Sequence, residues 1–206
     1  MSVVSDRMVW IDCEMTGLDV NVDELVEIAV IVTDFDLKPL DEGLDIVIKP
    51  DPSALANMGE FVTNMHRESG LLDEIPSGID VAEAEYKVLE YVLKHVPADQ
   101  KAPLAGNSIG TDRAFLTKYM PRLDAHLHYR NIDVSSIKEL SRRWYPRIYF
   151  NAPAKDGGHR ALADILESIR ELAYYRQVAF VPPPGPTSEE AKAAAVAVVN
   201  AYGSDV

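Results

Sequence analysis

Apolar and polar positions follow two different periods along this chain. Over the first fifty residues the period is that of strands. Residues 8–15 read as one strand, residues 25–35 as a longer one rich in Val and Ile, and residues 44–49 set Leu44, Ile46 and Ile48 against Asp45 and Lys49 as a half-buried strand. Short polar turns between them predict an antiparallel meander. The period then becomes helical. Val81, Tyr86, Leu89, Val92, Leu93 and Val96 mark a helix over 81–96. Residues 103–106 predict a short buried strand, 110–120 a helix ending before Pro121, 129–134 a strand and 135–145 a helix ending before Pro146. After Gly157-Gly158, residues 160–175 carry the stripe Leu162, Ile165, Leu166, Ile169, Leu172 and Ala173, an amphipathic helix. Strands first, then alternating helices and strands, predict an α/β fold, a mixed sheet with helices on its faces.

The stiff run Pro182-Pro183-Pro184-Gly185-Pro186 predicts a linker. It divides a domain of residues 1–181 from an Ala-rich tail, 182–206, whose Thr187 to Glu190 fits a capping box. A helix this short is marginal alone, so the tail is expected to be a mobile appendage. No apolar run reaches the roughly 18 residues of a membrane span. Residues 1–7 are polar and lack a signal-peptide core, and Cys13 is the single cysteine, so a cytoplasmic protein without an intramolecular disulfide is expected.

The formal net charge of −13 changes the picture for any nucleic-acid partner, because such a chain repels long polyanions. An enzyme of nucleic acids with this balance needs site-bound cations, a local basic patch or a very short substrate. Residues 130–147 are one patch, with Arg130, Lys138, Arg142, Arg143 and Arg147 against Asp133 and Glu139. A solvated helix face accounts equally for these charges.

Three acidic features stand out. In a strand Asp12 and Glu14 share one face, opposite Val9, Ile11, Cys13 and Met15. Adjacent carboxylates on a core strand repel unless one is protonated or a hard cation sits between them, although an exposed pair at a strand end has the same spelling. Asp112 precedes Phe115 and Leu116 by three and four residues, on their helix face. It is either an early-helix acid favoured by the dipole or a ligand turned inward. His159 and Asp164 are about 500° apart on a helix, so His159 belongs in the glycine hinge, and spacing alone leaves Asp164 as a solvated acid. Together, four acids and a histidine from separate elements make a sensible set for two-metal phosphodiester hydrolysis.

These motifs match those of the DEDDh (DnaQ-like) exonucleases. The phrases Trp10-Ile11-Asp12-Cys13-Glu14-Met15-Thr16-Gly17-Leu18, Met65-His66 with Ser69-Gly70-Leu71, Gly106-Asn107-Ser108-Ile109 and Tyr129-Arg130-Asn131-Ile132-Asp133-Val134-Ser135 resemble the oligoribonucleases in particular, over about residues 6–181. The resemblance implies a ribonuclease-H-like fold with a five-stranded mixed sheet flanked by helices. It implies 3′-5′ hydrolysis of very short single-stranded RNA, mainly dinucleotides, to 5′-mononucleotides. Two Mg²⁺ or Mn²⁺ ions would be held by Asp12, Glu14, Asp112 and Asp164, with His159 as general base; histidine titrates near neutrality. Leu18 would wedge between bases and Phe61 stack on one, where many relatives carry tryptophan. Ser108, Arg130 and Ser135 would cap the 5′-phosphate, and His66 would lie near the 3′ sugar-phosphate. His128 and Tyr129 would reach across a homodimer, Tyr129 into the catalytic group. A dinucleotide carries few phosphates, which reconciles the acidic surface with an RNA substrate and argues against long nucleic acid or a membrane as partner. Two other readings stay open: a DNA-proofreading subunit beside a polymerase, against which Tyr129-Arg130 counts, and a non-catalytic nucleotide-binding module, against which the intact acid set counts.

Overall fold

A computed structural model of the chain describes residues 3–154 and 157–203, with the backbone alone for residues 3 and 4. Residues 1 and 2 of the polar opening and 204–206 of the tail lie outside the described residues. The three early strands form as β2 (Arg7–Met15), β3 (Leu25–Asp34) and β4 (Leu44–Val47), after a two-residue β1 (Val3–Val4). They pair antiparallel, β2 with β3 and β3 with β4, as the meander reading expects. Short helices α1 (Pro52–Ala56), α2 (Glu60–Glu68) and α3 (Leu71–Glu74) follow, then the long α4 (Val81–His95). Next come β5 (Gln100–Lys101), β6 (Pro103–Gly106), α5 (Gly110–Tyr119) and α6 (Pro121–His126). The chain continues through β7 (His128–Asp133), α7 (Val134–Trp144), α8 (Pro146–Phe150) and α9 (Ala161–Val178) to α10 (Ser188–Tyr202).

The main sheet runs β4-β3-β2-β6-β7 and is mixed, because β6 and β7 join β2 in parallel. It is the five-stranded sheet the resemblance implies. Its two faces carry separate cores. Val9, Ile11, Cys13 and Met15 point to one face, with Val88, Val92, Phe115 and Leu116 of α4 and α5. Met8 and Trp10 point to the other, with Ile165, Ile169 and Tyr175 of α9. β2 is therefore buried on both sides. Trp10 is fully enclosed, its Nε1–H donating to Thr33 Oγ1 at 2.9 Å. Each such large side chain contributes about 1.5–3 kcal/mol of burial.

The buried face of α9 differs from the stripe read off the sequence. Leu166 is 44% exposed, while Glu167, Ser168 and Glu171 are buried. The helix is turned so that half-buried Asp164 and Ser168 line a cleft and Ser168 and Glu171 meet Asn107. α10 forms behind its capping box, Thr187 with Glu190, and has no buried residue. No described helix is long and apolar enough to cross a membrane.

Candidate active site

The acid set converges because β2 keeps one face for two purposes. Met8 and Trp10 fill the core beneath α9, and the same alternation carries Asp12 and Glu14 on to the point where α9 begins. Asp112 arrives from the first turn of α5, next to the end of β6. It is buried, and its Oδ1 accepts the Cys13 backbone N–H at 3.0 Å, which ties α5 to β2. Asp164 arrives from the first turn of α9. Glu14, His159 and Asp164 each present a ligand atom, all within 4.8 Å of one another. A cleft of about 630 Å³ is lined by Asp12, Glu14, Leu18, Ser108, Asp112, His159 and Asp164, together with Cys13, Met15, Asn107, Thr111 and Ser168.

Electrostatics set this cleft apart. Burial first, then the charges of Asp112, Asp164, Glu14 and Glu27, hold Asp12 well above the ordinary carboxylate range. Glu14 is pushed up to about 8 by burial, then by Asp164, Glu27 and Asp112, with Arg160 acting the other way. Burial pushes Asp112 up to about 7, against the pull of the Cys13 N–H. Like charges forced together in a desolvated place take up protons or a cation. Oxygen donors of this kind suit hard divalent ions, and the residues present fit them.

His159 sits in the hinge before α9, in the left-handed region at φ 47°, and is exposed. Gly157 before it has φ 65°, and neither Gly157 nor Gly158 has a neighbour within 4 Å of where a Cβ would stand. Among the described residues, nothing stands where a side chain at either glycine would begin. Leu18 is 78% exposed at the cleft rim. Its loop is held from α5, since Lys118 Nζ donates to the Val20 carbonyl at 2.6 Å and Tyr119 Oη to the Asp23 carbonyl at 2.7 Å.

The far end of the cleft is a polar net. The Ser108 N–H donates to Asp133 Oδ1 at 3.0 Å and to Ser135 Oγ at 2.9 Å, and Ser135 Oγ donates to Asn107 Oδ1 at 3.1 Å. Ser135 thus stands behind Ser108, at the start of α7. Phe61 on α2 and Tyr129 on the edge strand β7 are 81% and 74% exposed and lie outside the cleft lining, as do His128 and Arg130. The Arg130 guanidinium lies 5.3 Å from the centre of the Tyr129 ring.

His66, which the resemblance puts near the 3′ sugar-phosphate, is fully buried behind the cleft, and its Nε2–H donates to the Met15 carbonyl at 2.8 Å. Its Nδ1 lies 3.9 Å from Glu14 Oε2. α2 packs it behind Glu14, and burial lowers its pKa. Sequence reasoning missed Glu27. This buried acid of β3 accepts from Arg160 and from the Ala161 N–H, and so fixes the start of α9. Its only signal in the sequence was an acid inside an apolar strand.

The RNase T exonuclease family model matches residues 9–172, four-fifths of the chain. The oligoribonuclease of Leifsonia xyli is 70% identical over 202 residues, covering 98% of both chains. That of Mycolicibacterium paratuberculosis is 62% identical over 194 residues, covering 94% of this chain and 90% of its own. The chain belongs to the oligoribonucleases. It is accordingly an exonuclease, a hydrolase of phosphodiester bonds in a family that uses divalent metals. Exonuclease I from Methylocaldum szegediense has the same fold, with a TM-score of 0.66 at 19% identity, covering 84% of this chain and 41% of its own. E. coli exonuclease I, solved with an oligonucleotide, gives 0.65 at 15% identity with the same coverage. The oligoribonuclease chain spans about two-fifths of these larger nucleases, which share its fold.

Proposed function

We propose that this oligoribonuclease removes 5′-mononucleotides from the 3′ ends of very short RNA, dinucleotides above all, with Mg²⁺ or Mn²⁺, as a cytoplasmic homodimer. The observation that carries the reading is the convergence of Asp12, Glu14, Asp112 and Asp164 with His159 in one desolvated cleft. The four carboxylates would hold two divalent cations, which supply neutralisation of the phosphodiester charge and polarisation of the attacking water. His159 takes the proton of that water, and its free hinge lets the ring reach it. Leu18 at the rim separates two bases, and Phe61 offers an aromatic face to one of them. Ser108, backed by Ser135, with Arg130 nearby, receives the 5′-phosphate and closes the far end. Tyr129 and His128 project from an edge strand, where a second copy brings them to the site. Residues 182–206 are read as an appendage to the 1–181 domain.

A length series tests this reading. The parent should turn over a 5′-phosphorylated RNA dinucleotide faster than any longer single strand of RNA or DNA. Arg130→Ala should narrow that advantage by on the order of tenfold, the loss of one or two charge-assisted hydrogen bonds. Faster turnover of longer strands by the parent would defeat the end-cap assignment.

A further inference from the structure

We propose that Glu27 is a positioning residue for His159, acting through a clamp on the two residues that follow the histidine; the proposal rests on the general-base role given to His159 above. Glu27 lies in a run of nine consecutive buried residues of β3 and is fully buried itself. A carboxylate in such a place needs a counter-charge and hydrogen bonds. Both come from the residues next to His159. Arg160 donates through Nε to Glu27 Oε1 at 2.8 Å, and its Nη2 lies 2.8 Å from the same oxygen. The Ala161 N–H donates to Glu27 Oε2 at 2.9 Å. Arg160 also forks onto Glu74 of α3, each guanidinium nitrogen 3.0 Å from a carboxylate oxygen.

The clamp supplies something the local sequence lacks. α9 begins after Arg160, which provides no side-chain cap for the helix. The orphan N–H of Ala161 is capped instead by Glu27, from a strand 134 residues earlier in the chain. The backbone around His159 is thus asymmetric. On the N-terminal side stand two glycines with open space at the Cβ position, and on the C-terminal side the chain is bolted to the sheet through Arg160 and Ala161. The direction in which the imidazole leaves the backbone is therefore set at the bolted side. The body of α9, with Asp164 in its first turn, is held separately by Ala161, Ile165, Ile169 and Tyr175 in the core. Loosening Glu27 should therefore disturb the base more than the place of Asp164, which the core contacts of Ile165, Ile169 and Tyr175 hold.

A mutant cycle reads this directly, using hydrolysis of a 5′-phosphorylated RNA dinucleotide at saturating Mn²⁺. Glu27→Gln keeps the shape and removes the charge that holds Arg160. It should lower kcat by about ten- to a hundredfold, the scale of a misplaced catalytic group. KM should stay within about threefold of the parent, and saturating Mn²⁺ keeps out of kcat the change in ion affinity that follows from removing a charge beside Glu14 and Asp12. In a His159→Ala background the same substitution should change kcat by less than about twofold, because the group it positions is gone. Should Glu27→Gln fail to fold, Arg160→Lys, which keeps the charge and loses the planar fork, is read in the same cycle. Equal losses in both backgrounds, or an undiminished kcat in the parental one, overturn the proposal while leaving the general-base role in place. Parental turnover in His159→Ala overturns both.

Discussion

Glu14 and Glu27 face each other across β2 and β3 in direct register, on the same side of the sheet and both buried, yet their surroundings are opposite. Glu27 has a guanidinium and a helix N–H on its two oxygens. Glu14 is pushed up to about 8 by burial and then by the charges of Asp164, Glu27 and Asp112. One carboxylate is compensated from within the chain, and the other is left for something outside it. A fold that can supply Arg160 to one of two neighbouring acids has not met a general difficulty in burying charge. The deficit at Glu14 is local and is shared with Asp12 and Asp112. That selectivity separates a ligand site from an acidic accident.

The largest test of this contrast is Glu14→Gln. Turnover should fall on the order of a thousandfold, about 4 kcal/mol of transition-state stabilisation. The metal-free protein should be no less stable, and at pH 8 more stable, because one of several repelling charges is gone. Each kcal/mol gained should raise the melting temperature by about 2–4 °C for a chain of this size. A marked drop in metal-free melting temperature would mean that Glu14 is a structural acid like Glu27.

A second test uses protons and cations in turn. Glu14 and Asp112 titrate near 8 and 7 in the folded protein, well above their ordinary values of 4.5 and 3.8. The sign follows. The folded state binds more protons than the unfolded state between those limits, so metal-free stability is full at low pH and falls as pH rises through about 7–8. A cation prefers the ionised cluster and competes with those protons. The rise in melting temperature on adding Mn²⁺ should therefore be larger at pH 8 than at pH 6. A rise that is equal, or larger at pH 6, would place the bound ion elsewhere on the surface.

How far such a site can be read from sequence depends on whether the signal is local. The strands of the main sheet and the long helices are legible within two residues, save the end of α9 three residues past 175, because each residue's face follows from its neighbours' spacing. Residues 103–106 and the start of the helix at Gly110 came out as expected for that reason. The four acids and His159 were legible as phrases, and spacing placed His159 in the hinge. The helices of residues 52–74 were not assigned, since pieces of four to nine residues hold too few turns to show a period. The pairing of Glu27 with Arg160 joins positions far apart in the chain, so no window contains both. His66 is placed by resemblance alone, and its bond to the Met15 carbonyl joins residues 51 apart that no local window contains. The stripe on α9 fails only at Leu166, and it leaves out Ser168 and Glu171 because apolar periodicity cannot see their half-buried partner Asn107.

The smallest expected effect comes from the outer half of the clamp. Glu74 is 47% exposed in its side chain, and Arg160 keeps its bonds to Glu27 when Glu74 is removed. An exposed ion pair of this kind contributes at most about 1 kcal/mol. Glu74→Ala should therefore cost no more than that in denaturant unfolding and leave kcat within about twofold of the parent. Arg160→Ala is the informative partner, because it strands a fully buried carboxylate with one N–H for support. Losing one member of a buried pair costs about 3–5 kcal/mol, and the partial exposure of the guanidinium puts this pair toward the lower figure. If the two variants were equally mild, Glu27 would have to be neutral or reached by water. It would then be another Glu14, and the contrast between the two acids would dissolve.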